Sequence, residues 1–332
     1  ATVMGIATSI GLGIMQIGGG LNHLFDVPNN NSTKILITIL MVAIFLGSSL
    51  TGLNHGVKWL SNFNIILGAV LLIFILVFGD LKFILESYTL AISDYLQHFI
   101  EYSLRVNPYS GDDSWIQQWT VFYWAWVISW SPFIGGFVAR VSRGRTIREF
   151  VVGVLIIPPL ISFTWIAGFG GTAIKLALNH NDKLVHIVDK DYTVALFELL
   201  SHFPLSEVTS SLAIVLIFIF IVTSADSTTH IVAGMATGGA INPSLKHKVL
   251  WGLLIGAISV AMTIAGGLKS LQTASVITGL PFSIILLLMI FSLMRALKRE
   301  PIHHFKMTSI DDEKDYSISL EEREKQDEQE NQ

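Results

Sequence analysis

At 332 residues the chain is 52% hydrophobic and only 14% charged, with a formal net charge of −4 and no cysteine. Soluble domains carry about 25% charged residues because a surface in water must be polar, so this composition excludes a water-soluble globular protein and points to a membrane chain. Without cysteine, neither a disulfide framework nor a thiolate metal site can be built.

Apolar runs long enough to cross ~30 Å of hydrocarbon occur at 1–20, 34–52, 61–80, 119–139, 151–175, 208–226, 249–267 and 273–296, which predicts eight transmembrane helices. The first starts Ala1-Thr2-Val3-Met4, with no basic stretch ahead of a cleavage site. It is therefore not a signal peptide, and the chain reads as a fragment of a longer protein. Lys and Arg near span ends favour the cytoplasmic side. Arg140, Arg143, Arg145 and Arg148 follow the fourth run, Lys246 and Lys248 the sixth, and Arg295, Lys298 and Arg299 the eighth. With these loops inside, segments 21–33, 81–118 and 176–207 face outward as loops with short amphipathic helices. The organisation expected is three spans in 1–80, an extracellular amphipathic segment at 81–118, five spans in 119–297 and a cytoplasmic tail at 298–332. From Asp311 to Gln332 the tail has ten acidic residues against three basic ones, a net −7 that leaves +3 for the rest of the chain. It reads as a solvated tail, with a regulatory or partner-binding role as the alternative.

The most unusual stretch is "WTVFYWAWVISWSPFIGGF", residues 119–137, with four tryptophans in its first twelve positions. Interfacial belts place indoles at span ends, and Trp115 and Trp119 fit that. Trp126 and Trp130 lie deeper, and helical spacing puts Phe122, Trp126, Trp130 and Phe133 along one face while Trp124 points elsewhere. A ladder of rings near the midplane is either tight packing or a surface for a cation, since a ring face attracts a quaternary ammonium without needing hydrogen bonds. Ser131-Pro132 removes a backbone donor and frees a carbonyl, and Gly135-Gly136 loosens the next turn, so a kink or hinge is expected there. Broken helices near the midplane are where secondary transporters bind substrate and ions.

In "FIFIVTSADSTTH", residues 218–230, hydroxyls crowd the inner end of the sixth span. They suit either a hard cation such as sodium or ordinary bonding back to the preceding turn. "GLGIMQIGGG" at 11–20 is neither a complete GxGxxG nor a P-loop, and close helix packing accounts for its glycines. The ten histidines show no metal-ligand spacing, so no metal beyond sodium and no cofactor is expected. Paired acids, a Ser/His arrangement and a filter sequence are all missing, which argues against a membrane enzyme or a channel.

The stretch from Trp119 to Phe150, together with "ATSIGLGIMQIGGGLNHLF", "TSADS" and "LQTASVITGLPFSIILLLM", resembles the betaine/carnitine/choline transporter family over nearly the whole membrane part. The resemblance implies an all-α integral membrane protein with a LeuT-like inverted-repeat fold, of which these would be the last eight of about twelve helices. It further implies secondary active uptake of a quaternary ammonium osmolyte, glycine betaine first and then choline or carnitine, by sodium-coupled symport with alternating access. A sodium-independent or proton-coupled carrier or antiporter, or an inactive truncated fragment, is the alternative. Carried over by position, Trp126, Trp130, Trp124 and Phe122 match substrate-path aromatics, and Val127 stands where the family usually has a box-closing tryptophan. One cation–π face is thus missing, so either another ring substitutes or the substrate is not the usual trimethylammonium compound. The Phe220 carbonyl, Thr223 and Ser224 match a sodium site; Thr2, with Phe133 nearby, matches part of a second, whose other hydroxyl is replaced by Ile6. The implied setting is the bacterial cytoplasmic membrane, with an osmolyte and the lipid bilayer as partners, a homotrimer as assembly and no nucleic acid. The acidic tail differs from the basic C-terminal helix of osmosensing betaine carriers.

Overall fold

The computed structural model describes residues 1–50, 54–106, 109, 113–142, 144–179, 182–240 and 242–299, without the side chains of 48–50, 54–58, 182 and 183. Arg143 and the acidic stretch from Asp311 to Gln332 lie outside the described residues. Among the described residues every regular element is helical. In chain order these are α1 (Thr2–Phe25), α2 (Asn31–Leu50), α3 (Asn54–Phe78), α4 (Leu81–Gln97), α5 (Phe99–Ser103), α6 (Phe122–Val141), α7 (Ile147–Trp165), α8 (Gly171–Leu178), α9 (Asp182–Lys190), α10 (Ala195–Ser201), α11 (Ser206–Ala236) and α12 (Leu245–Arg299). Two π-helical turns join this series, Ile116–Val121 ahead of α6 and Ile166–Gly170 between α7 and α8.

Among the described residues six helices are long and apolar enough to cross a membrane: Thr2–Phe25, Trp59–Phe78, Ile116–Val141, Ile147–Leu178, Ser206–Ala236 and Leu245–Arg299. α2 contributes a shorter apolar stretch, Asn31–Gly47. The seventh and eighth predicted runs both lie in α12, which is interrupted at Gly267 with φ 56° and ψ −134°. Only glycine adopts that backbone without strain, since any Cβ there meets the adjoining peptide. Thr263 before the break and Leu271 after it both lie against Gly11 of α1, so the two arms return to the same neighbour. Residues 1–283 form one compact unit, and a second begins at Ile284 within the last helix.

α1 and α11 form the centre of the first unit. Ile6, Ile10, Ile14 and Ile17 make a stripe at helical spacing on α1, and they are buried with Met41 and Phe45 of α2, Ile221 and Val222 of α11 and Ile255 of α12. A second buried cluster gathers Leu71 and Ile75 of α3, Ile84 of α4, Phe169 of the second π turn and Phe197 and Leu200 of α10. α7 buries none of its residues, and its outward Val, Leu and Ile side chains suit a face in lipid, where apolar exposure carries no hydrophobic penalty. Helix ends are fixed locally. Asp80 caps α4 by accepting from the Phe83 N–H at 3.1 Å, and Thr146 with Glu149 forms a capping box at the start of α7. Lys175 of α8 pairs with Asp80 and lies 5.0 Å from the centroid of the Phe83 ring, tying α8 to the beginning of α4.

Candidate functional site

The aromatic stretch is positioned by α6 packing on α1. The Trp126 indole N–H donates to the Gly5 carbonyl at 3.0 Å, and Phe122, fully buried, stacks on Trp126 with ring centroids 5.8 Å apart and planes within 4°. Trp130 leans on Phe133 at 5.9 Å. Ser129, one residue before Trp130, is fixed from α12 by hydrogen bonds to the Ser275 carbonyl at 3.1 Å and the Thr278 hydroxyl at 3.2 Å. The Thr8 hydroxyl of α1 meets the Ser275 hydroxyl at 2.9 Å, so a buried seam of hydroxyls joins α1, α6 and α12 behind the rings.

α6 is helical throughout, Pro132 included. Proline lacks the N–H that would bond the Ile128 carbonyl four residues earlier. The Ser131 hydroxyl donates to that carbonyl at 2.7 Å, so it is satisfied within the helix rather than left bare. Gly135 has open space around it, and Gly136 faces Ile231 of α11.

A cavity of about 740 Å³ opens among α1, α3, α6, α7 and α11. That is within the usual range of roughly 300–1,000 Å³ for small-molecule sites. α6 contributes Trp126, Val127 and Trp130; α1 presents Ile6, Ser9, Ile10 and Gly13, an i, i+3, i+4, i+7 stripe; α11 adds Phe220 and Ser224, one turn apart. Among the polar and aromatic lining residues, those absent from the sequence expectations are Ser9 and Gln16 of α1, Asn64 of α3 and Trp165 of α7. No Asp, Glu, Lys, Arg or His is among the described lining residues. Two buried polar atoms in lining residues, Trp130 Nε1 and Asn64 Oδ1, have no hydrogen-bond partner among the described residues.

The remaining candidates sit around this cavity rather than on it. Phe122 backs Trp126, Phe133 is buried beyond Trp130, Thr2 is buried near the start of α1, and Trp124 is 54% exposed on the opposite side of α6. The Thr223 hydroxyl donates to the Ile219 and Phe220 carbonyls, each at 3.0 Å, which is the local back-bonding seen for hydroxyls in apolar helices.

Residues 1–302 match the family of betaine/carnitine/choline transporters (BCCT). The chain belongs to the BCCT family. Over 299 residues it is 50% identical to the ectoine/hydroxyectoine transporter of Virgibacillus pantothenticus, covering 90% of this chain and 60% of the relative. It is 43% identical over 301 residues to a glycine betaine transporter of Bacillus subtilis (90% and 58%), and 37% identical over 306 residues to an osmo-independent choline transporter of Acinetobacter baylyi (90% and 58%). The BCCT chain described here thus spans about 60% of the length of these curated relatives. As in other BCCT proteins, its apolar helices make it a multi-pass membrane protein.

Proposed function

We propose that this BCCT protein carries a zwitterionic osmolyte with a quaternary ammonium group, glycine betaine foremost, into the cell by sodium-coupled symport. The observation that supports this reading is the cavity wall, which among the described residues combines three indoles with no ionised side chain. A cation entering such a site is met by ring faces, worth ~0.5 to 2 kcal/mol each. With no protein counter-ion, a solute that carries its own carboxylate is favoured over a bare cation, because an unpaired charge is costly to desolvate. Glycine betaine is therefore favoured over choline, which carries only the cation. Carnitine remains a candidate on the same chemistry.

A cyclic zwitterion such as ectoine is the second reading. It is favoured by Val127, an aliphatic side chain between Trp126 and Trp130 on the cavity wall, and by the 50% identity to a protein named for ectoine transport.

For the coupling ion, the reading uses the Thr223 and Ser224 hydroxyls and the Phe220 carbonyl. The Thr223 hydrogen is directed at main-chain carbonyls, so its oxygen lone pairs point elsewhere. Oxygen donors of this kind suit a hard cation. Transport proceeds by alternating access in a LeuT-like inverted-repeat fold, with α6 to α12 as the second five-helix repeat. The test is uptake of radiolabelled glycine betaine, ectoine, carnitine and choline by the protein as its gene encodes it, in cells lacking their own carriers, with sodium present or replaced by potassium. Sodium-dependent uptake of a zwitterion ahead of choline supports the reading; uptake of none of the four, or preference for choline, overturns it.

A further inference from the structure

We propose that Trp165 is a solute-binding residue, supplying from α7 the aromatic wall that Val127 does not provide on α6. The inference rests on the carrier reading above and deepens it by naming a ring in the binding site. Trp165 lines the same cavity as Trp126 and Trp130. Its ring stacks on Phe169, with centroids 4.4 Å apart and planes 29° from parallel. Phe169 is buried among Leu71, Ile75 and Ile84, and Trp165 packs against that cluster. The indole is thus stacked on a buried ring and also lines the cavity.

The backbone around it is unusual in the same place. α7 ends at Trp165, and the next five residues, Ile166–Gly170, form a π turn. π turns are rare within α-helices, and they occur often at functional sites because the wider turn rotates the side chains on one flank relative to the other. Depth separates Trp165 from an interfacial anchor. It is the nineteenth residue of the 32-residue apolar helix Ile147–Leu178, near the middle of the span, where belt tryptophans do not sit. Trp126 and Trp130 are likewise central in the 26-residue Ile116–Val141. Three indoles from two helices therefore approach one cavity at similar depth. An alkylated or delocalised cation is the group that such a set recognises, since the ring faces carry negative potential and demand no donor from it.

The experiment replaces Trp165 by Phe, by Leu and by tryptophans carrying one, two or three ring fluorines, in the protein as its gene encodes it. Glycine betaine and ectoine are the probes, KM and maximal uptake rate are measured separately, and protein in the membrane is quantified. Fluorination barely changes the volume of the ring but weakens its face toward cations. A stepwise rise in KM with fluorine number, a rise of about 2- to 30-fold in Trp165→Leu for a loss of ~0.5 to 2 kcal/mol, and recovery of most affinity in Trp165→Phe support the proposal. A KM indifferent to fluorination at 165, while the same series at Trp130 shifts it, overturns the proposal and leaves the carrier reading standing. If the unmodified protein takes up neither solute, both fall.

Discussion

The indole N–H of Trp126 donates to the Gly5 carbonyl at 3.0 Å, and a Cβ added at Gly5 would come within 2.9 Å of the Trp130 backbone nitrogen. The aromatic helix is therefore registered on α1 twice in one turn, once by a hydrogen bond and once by a contact that tolerates no side chain. Two substitutions separate these effects. Gly5→Ala forces the backbones of α1 and α6 apart and is expected to lower stability by about 1–3 kcal/mol. Trp126→Phe keeps an aromatic ring but removes the indole N–H, and loss of the bond alone is expected to cost about 0.6 kcal/mol, an average for such bonds in membranes. Thermal unfolding of the detergent-solubilised protein measures both, and a Gly5→Ala variant as stable as the parent would contradict the close approach.

Val127 provides a gain-of-affinity test. Val127→Trp adds a ring beside Trp126 and Trp130, and it is expected to lower the KM for glycine betaine by about 2- to 30-fold, which corresponds to ~0.5 to 2 kcal/mol. Ectoine, if it is the natural solute, should lose affinity in the same variant as the cavity narrows. Uptake kinetics with both solutes give the answer; a KM unchanged for each would place residue 127 away from the solute.

The α6 part of the site is legible in the sequence because helical spacing dictates which rings share a face, and Trp126 and Trp130 indeed line one cavity while Trp124 turns away. Ser9, Asn64 and Trp165 are not legible by that logic. Each reaches the cavity from another helix, and periodicity within one helix carries no information about which neighbour it meets. Trp165 also sits at the junction of an α-helix and a π turn, where extrapolating a 3.6-residue period rotates the following side chains wrongly. At Pro132 the helix continues, and the neighbouring Ser131 hydroxyl supplies to the Ile128 carbonyl a donor that proline lacks. For the last two runs, hydropathy locates both stretches, and the single glycine conformation at 267 marks the bend between them.

Gly267 itself gives a stability prediction with an internal control. Gly267→Ala places a Cβ on a backbone at φ 56° and is expected to destabilise by about 1–3 kcal/mol. Gly153, inside α7 with open space around it, should respond in the opposite direction, since alanine is favoured over glycine in a helix by up to ~1 kcal/mol. Unfolding midpoints of the two variants on either side of the parent would match this assignment; midpoints that shift together would refute it.

Thr223→Val keeps shape and removes the hydroxyl proposed for sodium. Because, among the described residues, that hydroxyl bonds carbonyls of its own helix alone, folding should be nearly unaffected. The sodium concentration for half-maximal uptake is expected to rise at least tenfold, equivalent to about 1.4 kcal/mol, with the maximal rate at saturating sodium retained. An unchanged sodium dependence would remove Thr223 from the ion path.

Outside the membrane span, the Asp80 carboxyl is held below its ordinary range first by the Lys175 hydrogen bond and then by the Phe83 N–H. A depressed acid contributes stability above its unfolded pKa and loses it as pH falls through the folded one. The parent should therefore exceed Asp80→Asn in stability at neutral pH, with the difference shrinking below about pH 4. Unfolding midpoints for both proteins across this pH range provide the check; a difference that grew on acidification would have the wrong sign for this pair.

The absence of ionised side chains from the described cavity wall has an electrical consequence. A charge crossing the membrane field exchanges about 2.3 kcal/mol with each 100 mV, but a solute of zero net charge passing a wall of zero net charge exchanges none. On the proposed reading of a zwitterion carried together with ions, the membrane voltage drives accumulation only through those ions, and the current recorded per molecule of osmolyte counts them directly.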